Sequence, residues 1–170
     1  MIWTVIGVIV VLFGFAAFFG APYVPSQSRY VRRAFDHFKL GAKDVLVDAG
    51  SGDGIVLRIA ASYGARAVGF EINPALVGLS KLISLTNTRI SVKLANFWTT
   101  KLPDDTTIVY AFAVSRDESR LISVMQRETN RLGRPLKLLC HASPLKTREP
   151  VDIFDAYHLY TFQPLQLKKA

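Results

Sequence analysis

The sequence predicts an α/β domain built on a mostly parallel sheet with helices on both faces, preceded by one N-terminal transmembrane helix. Three observations carry that expectation: an uncharged apolar run at the start, an alternation of strand-like and helix-like segments after it, and a glycine-rich turn where the first strand meets a helix. The chain has 170 residues, enough for one domain with a sizeable core and little room for a second. Half of the residues are hydrophobic, 20% are charged and no low-complexity tract occurs, which excludes a disordered chain. The single Cys140 and three scattered histidines exclude a disulfide scaffold and a zinc cluster. A formal charge of +8 favours anionic partners without choosing between nucleic acid and membrane.

Residues 1–20, MIWTVIGVIVVLFGFAAFFG, contain no charged side chain. As a helix rising about 1.5 Å per residue they span roughly 30 Å, the thickness of a bilayer's hydrocarbon core. A buried core helix is usually shorter and shows a polar stripe, and a cleaved signal peptide would begin with basic residues ahead of the apolar run. The expected organisation is a transmembrane anchor over 1–20, a basic linker and pre-domain segment over 21–43, and the domain over 44–170. Trp3 suits a membrane interface. Beyond the anchor come Arg29, Arg32, Arg33, Lys39 and Lys43, so the positive-inside rule puts the domain on the cytoplasmic side, or the matrix side in a mitochondrion. These cations could lie against anionic lipid headgroups or form an ordinary solvated helix face.

The alternation runs in order. Asp44–Ala49 is a first strand, followed by GSGDG and a helix over Ile55–Tyr63 that Gly64 closes. Ala67–Glu71 is a second strand, and Asn73-Pro74 gives an N-cap with proline at the first position of a helix over Ala75–Leu85. Arg89–Ala95 and the strongly apolar Thr107–Val114 are the third and fourth strands. Ser115 and Glu118 have capping-box spacing for a helix ending near Leu132, before Gly133. Leu136–Ala142 is a fifth strand and Ala156–Phe162 a sixth, after a polar loop containing proline. Only the one clear strand follows the fifth, so the sheet is expected to be trimmed at its C-terminal edge.

The chemistry gathers at the first strand's exit. VDAGSGDG places Gly50, Gly52 and Gly54 between strand and helix, where backbone can approach a ligand and a helix N-terminus offers free N–H groups. Glu71 ends the second strand, where a carboxylate can accept hydrogen bonds from both ribose hydroxyls of a nucleoside. A dinucleotide loop would need glycine at position 55, and this chain has Ile55. The spacing therefore favours a nucleoside ligand without phosphates, S-adenosylmethionine over NAD.

The stretch DVLVDAGSGDGIVLRIAASYGARAVGFEINPALVGLS resembles the glycine loop and acidic loop of class I methyltransferases. It is similar to the family containing the mitochondrial lysine methyltransferases of the ATP synthase c subunit and the adenine nucleotide translocase. The apolar N-terminal segment, PYVPS at Pro22–Ser26 and the E-x-N-P arrangement at Glu71–Pro74 fit that family too. The resemblance implies a Rossmann-like class I methyltransferase sheet, S-adenosyl-L-methionine as methyl donor, and transfer to a lysine of a protein, often a membrane protein. It assigns Asp48 to the methionine end of the cofactor or to ordering the loop, and Gly50 and Gly52 to backbone contact with the amino-acid moiety. Asp53 would hold the loop or the cofactor's ammonium group, Glu71 the ribose, and Ile72 would lie beside the adenine. After the third strand the family usually has an acidic residue, an apolar one and Trp; here Asn96-Phe97-Trp98 stand there, which sets Asn96 and Phe97 beside the cofactor, and the Asn96 carbonyl can still accept from the adenine amino group.

The target amine must present a lone pair, and holding a lysine of pKa about 10.4 neutral at pH 7 costs about 4.6 kcal/mol. Burial and repulsion from a sulfonium both lower that pKa, so positioning and desolvation can replace a dedicated base. Tyr23, Ser26 and Trp98 are the expected catalytic-slot residues, with Ser115 also a candidate; core packing or interfacial anchoring is the plain alternative for Tyr23 and Trp98. His37, His141 and His158 lack neighbours for a triad or metal site, Cys140 reads as a small core hydrophobe, and Tyr157–Tyr160 as a strand's two faces. Nucleic-acid methylation is not expected, because AFAVSRD after the fourth strand lacks the prolines and aromatic that stack a flipped base. The expected activity is protein-lysine N-methylation by a membrane-anchored enzyme whose partners are a lysine-bearing protein and membrane lipids. The alternatives are a methyltransferase acting on a lipid or quinone-like molecule and a non-catalytic tethered module. Oligomeric state is left open.

Overall fold

A computed structural model describes residues 2–4, 6–7, 27–112 and 117–165. Most of the anchor expected over 1–20 lies outside these, as do Tyr23, Ser26 and Ser115. Among the described residues no helix is long and apolar enough to cross a membrane.

Seven strands form one sheet in the order β3-β2-β1-β4-β5-β7-β6. Strands β1 (Val45–Asp48), β2 (Arg66–Glu71), β3 (Ile90–Leu94), β4 (Ile108–Phe112) and β5 (Leu136–His141) run parallel. Strand β7 (Tyr157–Phe162) lies antiparallel between β5 and the edge strand β6 (Asp152–Phe154). The central strands are continuous apolar runs because helices cover both of their faces: Leu46, Val47, Leu138, Leu139 and Cys140 are all fully buried. The strand order reverses between β1 and β4, which opens a crevice beyond the carboxyl ends of the two strands.

Helices α1 (Ser28–His37), α2 (Ile55–Ser62) and α3 (Pro74–Ile83) contribute Phe35, Leu57, Ile59 and Val77 to the core on one face. On the other, α4 (Glu118–Leu132) contributes Leu121, Val124 and Met125, packed with Phe70, Phe97 and Tyr160. Glu128 of α4 is fully buried, and its carboxylate accepts from Leu102 N–H, Arg127 and Arg131. Burial alone would raise its pKa, but those bonds hold it below the usual glutamate value.

Three expectations change. Part of the 21–43 segment is built into the domain: Val31, Ala34 and Phe35 recur at helical spacing on the buried face of α1. Phe35 meets Tyr63 and Tyr110 edge-on, with ring centroids 6.1 and 6.3 Å away. Among the cations of this segment, which could face lipid or form a solvated helix face, Arg33 pairs with Asp155 at 3.4 Å and Arg32 donates to Ser62. Second, the C-terminal edge of the sheet is not trimmed of strands; what is missing between β5 and β6 is a helix, residues 142–151 being loop. Strand β6 escaped the sequence because three residues are too few to show a period, and its turn is Asp155-Ala156, with Asp155 at φ 51°, not a glycine-bearing pair. Third, Glu118 is expected to pair with Ser115, which lies outside the described residues; at the start of α4 its carboxylate accepts from Lys146 N–H, Thr147 N–H and the Thr147 hydroxyl.

Replacing Phe35 by Ala should lower the unfolding free energy by about 3 kcal/mol or more, as truncations of buried aromatics do. Urea unfolding measures it, and a change near zero would mean that α1 is a linker after all.

Candidate active site

The loop after β1 is tied on both sides. Ala49 N–H donates to the Tyr110 carbonyl of β4 and Ser51 N–H to the Phe70 carbonyl of β2, each at 3.0 Å. Glu71, at the end of β2, joins the loop to the next helix: one carboxylate oxygen accepts from Gly52 N–H at 2.9 Å, the other from Asn73 N–H at 2.7 Å. Asn73 in turn caps α3 by accepting from Ala75 N–H at 3.0 Å, with Pro74 at the first helical position. The loop then turns into α2 at Gly54, whose φ is +82° and where a Cβ would stand 2.1 Å from Ser80 Oγ on α3. Only glycine fits that approach. Asp53 accepts from Ile55 N–H at 3.1 Å and is held by Arg58 at 3.1 Å, so its carboxylate is engaged with the loop and not with open space.

Asp48 is 3% exposed at the end of β1. Burial pushes its carboxyl up to about 7; a bond from Gly50 N–H at 3.4 Å opposes the shift, and the nearby Glu71 and Asp53 add to it. A Cβ placed on Gly50 would meet nothing within 4 Å, so the loop leaves room directly above its backbone there. Carboxylates around that room make it a place for a cation or a row of hydroxyls. Ile72, beside Glu71, is 41% exposed and offers an apolar surface next to the carboxylate.

At the exit of β3, Asn96 is exposed, and its side-chain oxygen accepts from Trp98 N–H at 3.0 Å. That leaves one lone pair for a ligand. Phe97 is 3% exposed and packs in the core under α4, so only its backbone can face the site. Trp98 lies edge-on to Phe97, and the Arg120 guanidinium sits 4.8 Å above its ring. The structure thus gathers Asp48, Gly50, Gly52, Asp53, Glu71 and Ile72 around one loop and sets Asn96 at the next strand end.

Sequence reasoning missed an aromatic row. Phe112, His141 and Tyr157 are register partners across β4, β5 and β7, at the same end of the sheet as the glycine loop. His141 stacks on Tyr157 with ring centroids 4.4 Å apart and meets Phe112 at 5.3 Å. Its Nδ1 lies 3.3 Å from the Tyr110 hydroxyl, and burial holds its pKa below the ordinary histidine value. The available signal was a ring within two residues of the end of each expected strand, Phe112 in Thr107–Val114 and His141 in Leu136–Ala142.

A seven-strand sheet in this order, with its last strand antiparallel and a glycine loop and acidic strand end at the reversal point, defines the class I methyltransferases. A Salinibacter ruber RNA methyltransferase, solved with S-adenosyl-L-homocysteine, superposes with a TM-score of 0.73 at 21% identity, covering 86% of this chain and 98% of that one. No family model matches the chain. A lysine N-methyltransferase of the ATP synthase c subunit, from Xenopus laevis, is 40% identical over 60 residues, 35% of this chain and 26% of that protein. The chain thus spans about a quarter of that relative's length. A protein-lysine N-methyltransferase from Saccharolobus islandicus is 30% identical over 139 residues, which cover 78% of this chain and 83% of that protein. The chain belongs to this protein-lysine N-methyltransferase family.

Because the folded pKa of Asp48 stands above its unfolded value, its contribution to stability is fully present below about pH 4 and lost as pH rises through about 7. Asp48→Asn in the ligand-free protein should remove that slope. Between pH 5 and pH 8, urea unfolding should show the variant gaining on the wild type by about 3 kcal/mol; parallel curves would put the buried charge elsewhere.

Proposed function

We propose that the chain is an S-adenosyl-L-methionine-dependent protein-lysine N-methyltransferase, tethered to a membrane through residues 1–20 with its domain on the cytoplasmic or matrix side. The observation that carries the cofactor is the buried pair Asp48 and Glu71 flanking the open backbone of Gly50. When bound, S-adenosylmethionine supplies an electrophilic methyl group on a sulfonium. Asp48 faces the ammonium end and loses its proton to do so. Each Glu71 oxygen keeps a lone pair beyond the backbone N–H it accepts, and these take the ribose hydroxyls. Ile72 covers the adenine, and the remaining lone pair of Asn96 meets its amino group.

The kinship with lysine methyltransferases supports lysine as the acceptor. Phe112 and His141 wall the approach from the β4–β5 side, about one to two strand spacings of roughly 4.8 Å from the glycine loop. An apolar, ring-lined slot favours the neutral amine. His141, held neutral by burial, adds no positive charge against it. Trp98, with Tyr23 and Ser26, completes the lining in this reading.

The test is transfer of a labelled methyl group from S-adenosylmethionine to membrane extract or lysine-rich proteins, followed by acid hydrolysis. Label should appear in methyl-lysine. Label confined to the organic phase would mean a lipid or quinone acceptor, and cofactor binding without transfer a non-catalytic module. Glu71→Ala should weaken cofactor binding at least about 100-fold, since it removes two charge-assisted bonds; binding retained in that variant would refute the site. Proton uptake by buffer should accompany binding below about pH 7, as Asp48 ionises, and calorimetry in buffers of different ionisation enthalpy reads it.

A further inference from the structure

Helix α3 carries its apolar side outward. The residues turned to the sheet are Asn73, Val77, Ser80 and Ser84, all buried and mostly small or polar. Facing away are Leu79 at 44% exposure, Leu82 at 69% and Ile83 at 51%, with Leu85 at 79% just past the helix end. Leu94, at the end of the edge strand β3 on which α3 packs, adds another at 59%. The inner side is small because α3 lies so close to Gly54 that Ser80 fills the gap. That explains the serines and leaves the leucines unexplained by the domain's own packing.

The charges around this surface have one sign. Between Glu71 and Asp104 the chain has no acidic residue, and its charged side chains are Lys81, Arg89, Lys93 and Lys101. Lys81, Arg89 and Lys93 are exposed and form no ion pair among the described residues. A protein ligand for an apolar face with this rim would need its own acidic ring. A bilayer containing anionic lipid supplies both halves at once, with acyl chains for the leucines and headgroup phosphates for the cations. The same chain carries an uncharged run of twenty apolar residues at 1–20. We propose that the outer face of α3, with the β3 edge, lies against an anionic lipid surface. The face begins beside Asn73, which is bonded to Glu71, so the lipid contact borders the proposed cofactor site. The inference does not rest on lysine being the acceptor.

The full chain, reconstituted into phosphatidylcholine vesicles with or without phosphatidylglycerol, tests this through an environment-sensitive dye on Leu82→Cys. Native Cys140 is fully buried with its thiol pushed up to about 12, so it does not compete for label. Val151→Cys, at an exposed site by the opposite edge of the sheet, is the control. At position 82 the emission should shift to the blue and be quenched by nitroxide-bearing lipid, more strongly with phosphatidylglycerol, while position 151 stays unquenched. Position 82 unquenched in vesicles that hold the protein would show the face in water and overturn the proposal, leaving 1–20 to hold the chain alone. A blue shift without lipid quenching would overturn it in favour of a protein cover such as a second copy. Equal quenching in both lipids would overturn the role of charge. Failure of methyl transfer changes none of these readings, and loss of quenching says nothing of transfer, so the two conclusions fail separately.

Discussion

Glu71 holds the working end of the domain together. Its two oxygens accept one backbone N–H from the glycine loop and one from the cap of α3, and its side chain is almost wholly buried as it does so. Without it, two N–H groups at the ends of separate elements would lose their partner in a place water hardly reaches. The loop's height above the sheet, the start of α3 and the room over Gly50 all depend on those two bonds. A single carboxylate thereby shapes the candidate ligand site and also stands in it. That dual use explains why an acidic residue is needed where the strand's own packing would accept an apolar one.

The sheet's two edges are treated differently. At one end β6 is three residues long and is covered from the side: Arg33 and His37 of α1 reach Asp155 and Asp152, and the His37 ring stacks on Phe154 at 4.6 Å. Short length and attached charge are the usual ways of making an edge unattractive to a foreign strand. At the other end β3 has only Val92 buried and neighbours a helix whose leucines point outward. Side-chain pairs from α1 cover one edge, and the other is left greasy and cationic.

The parallel core was legible because its signals are local. Strands β1, β2, β4 and β5 are mostly apolar and β3 alternates apolar with polar residues, and each falls within a residue or two of its expected span. The candidate site was legible for the same reason: Asp48, the glycines and Glu71 sit at fixed offsets from strand ends. What escaped depended on contacts between distant parts. Helix α1 reads as a basic flank because Arg29, Arg32 and Arg33 dominate it, while its buried side is only Val31, Ala34 and Phe35. The rings of Phe112, His141 and Tyr157 become a row only once β7 is slotted antiparallel beside β5, a pairing that no local pattern announces. Phe97 is expected beside the cofactor from its place after β3, and its burial among the residues under α4 is a contact that no local pattern shows.

The clasp between α1 and the β6–β7 hairpin has a consequence for how the protein is made. His37 and Asp152 are 115 residues apart, and the first lies in the earliest helix of the folded domain while the second opens the last hairpin. During synthesis α1 has no edge to grip until nearly all of the described chain has left the ribosome, and Phe35 lacks its neighbour Tyr110 for much of that time. The apolar run of residues 1–20 therefore emerges long before the domain can close. Under the proposed tethering, its encounter with a bilayer competes with an unfinished chain and not with a folded one, and closure of the domain is a late event that seals an attachment already made.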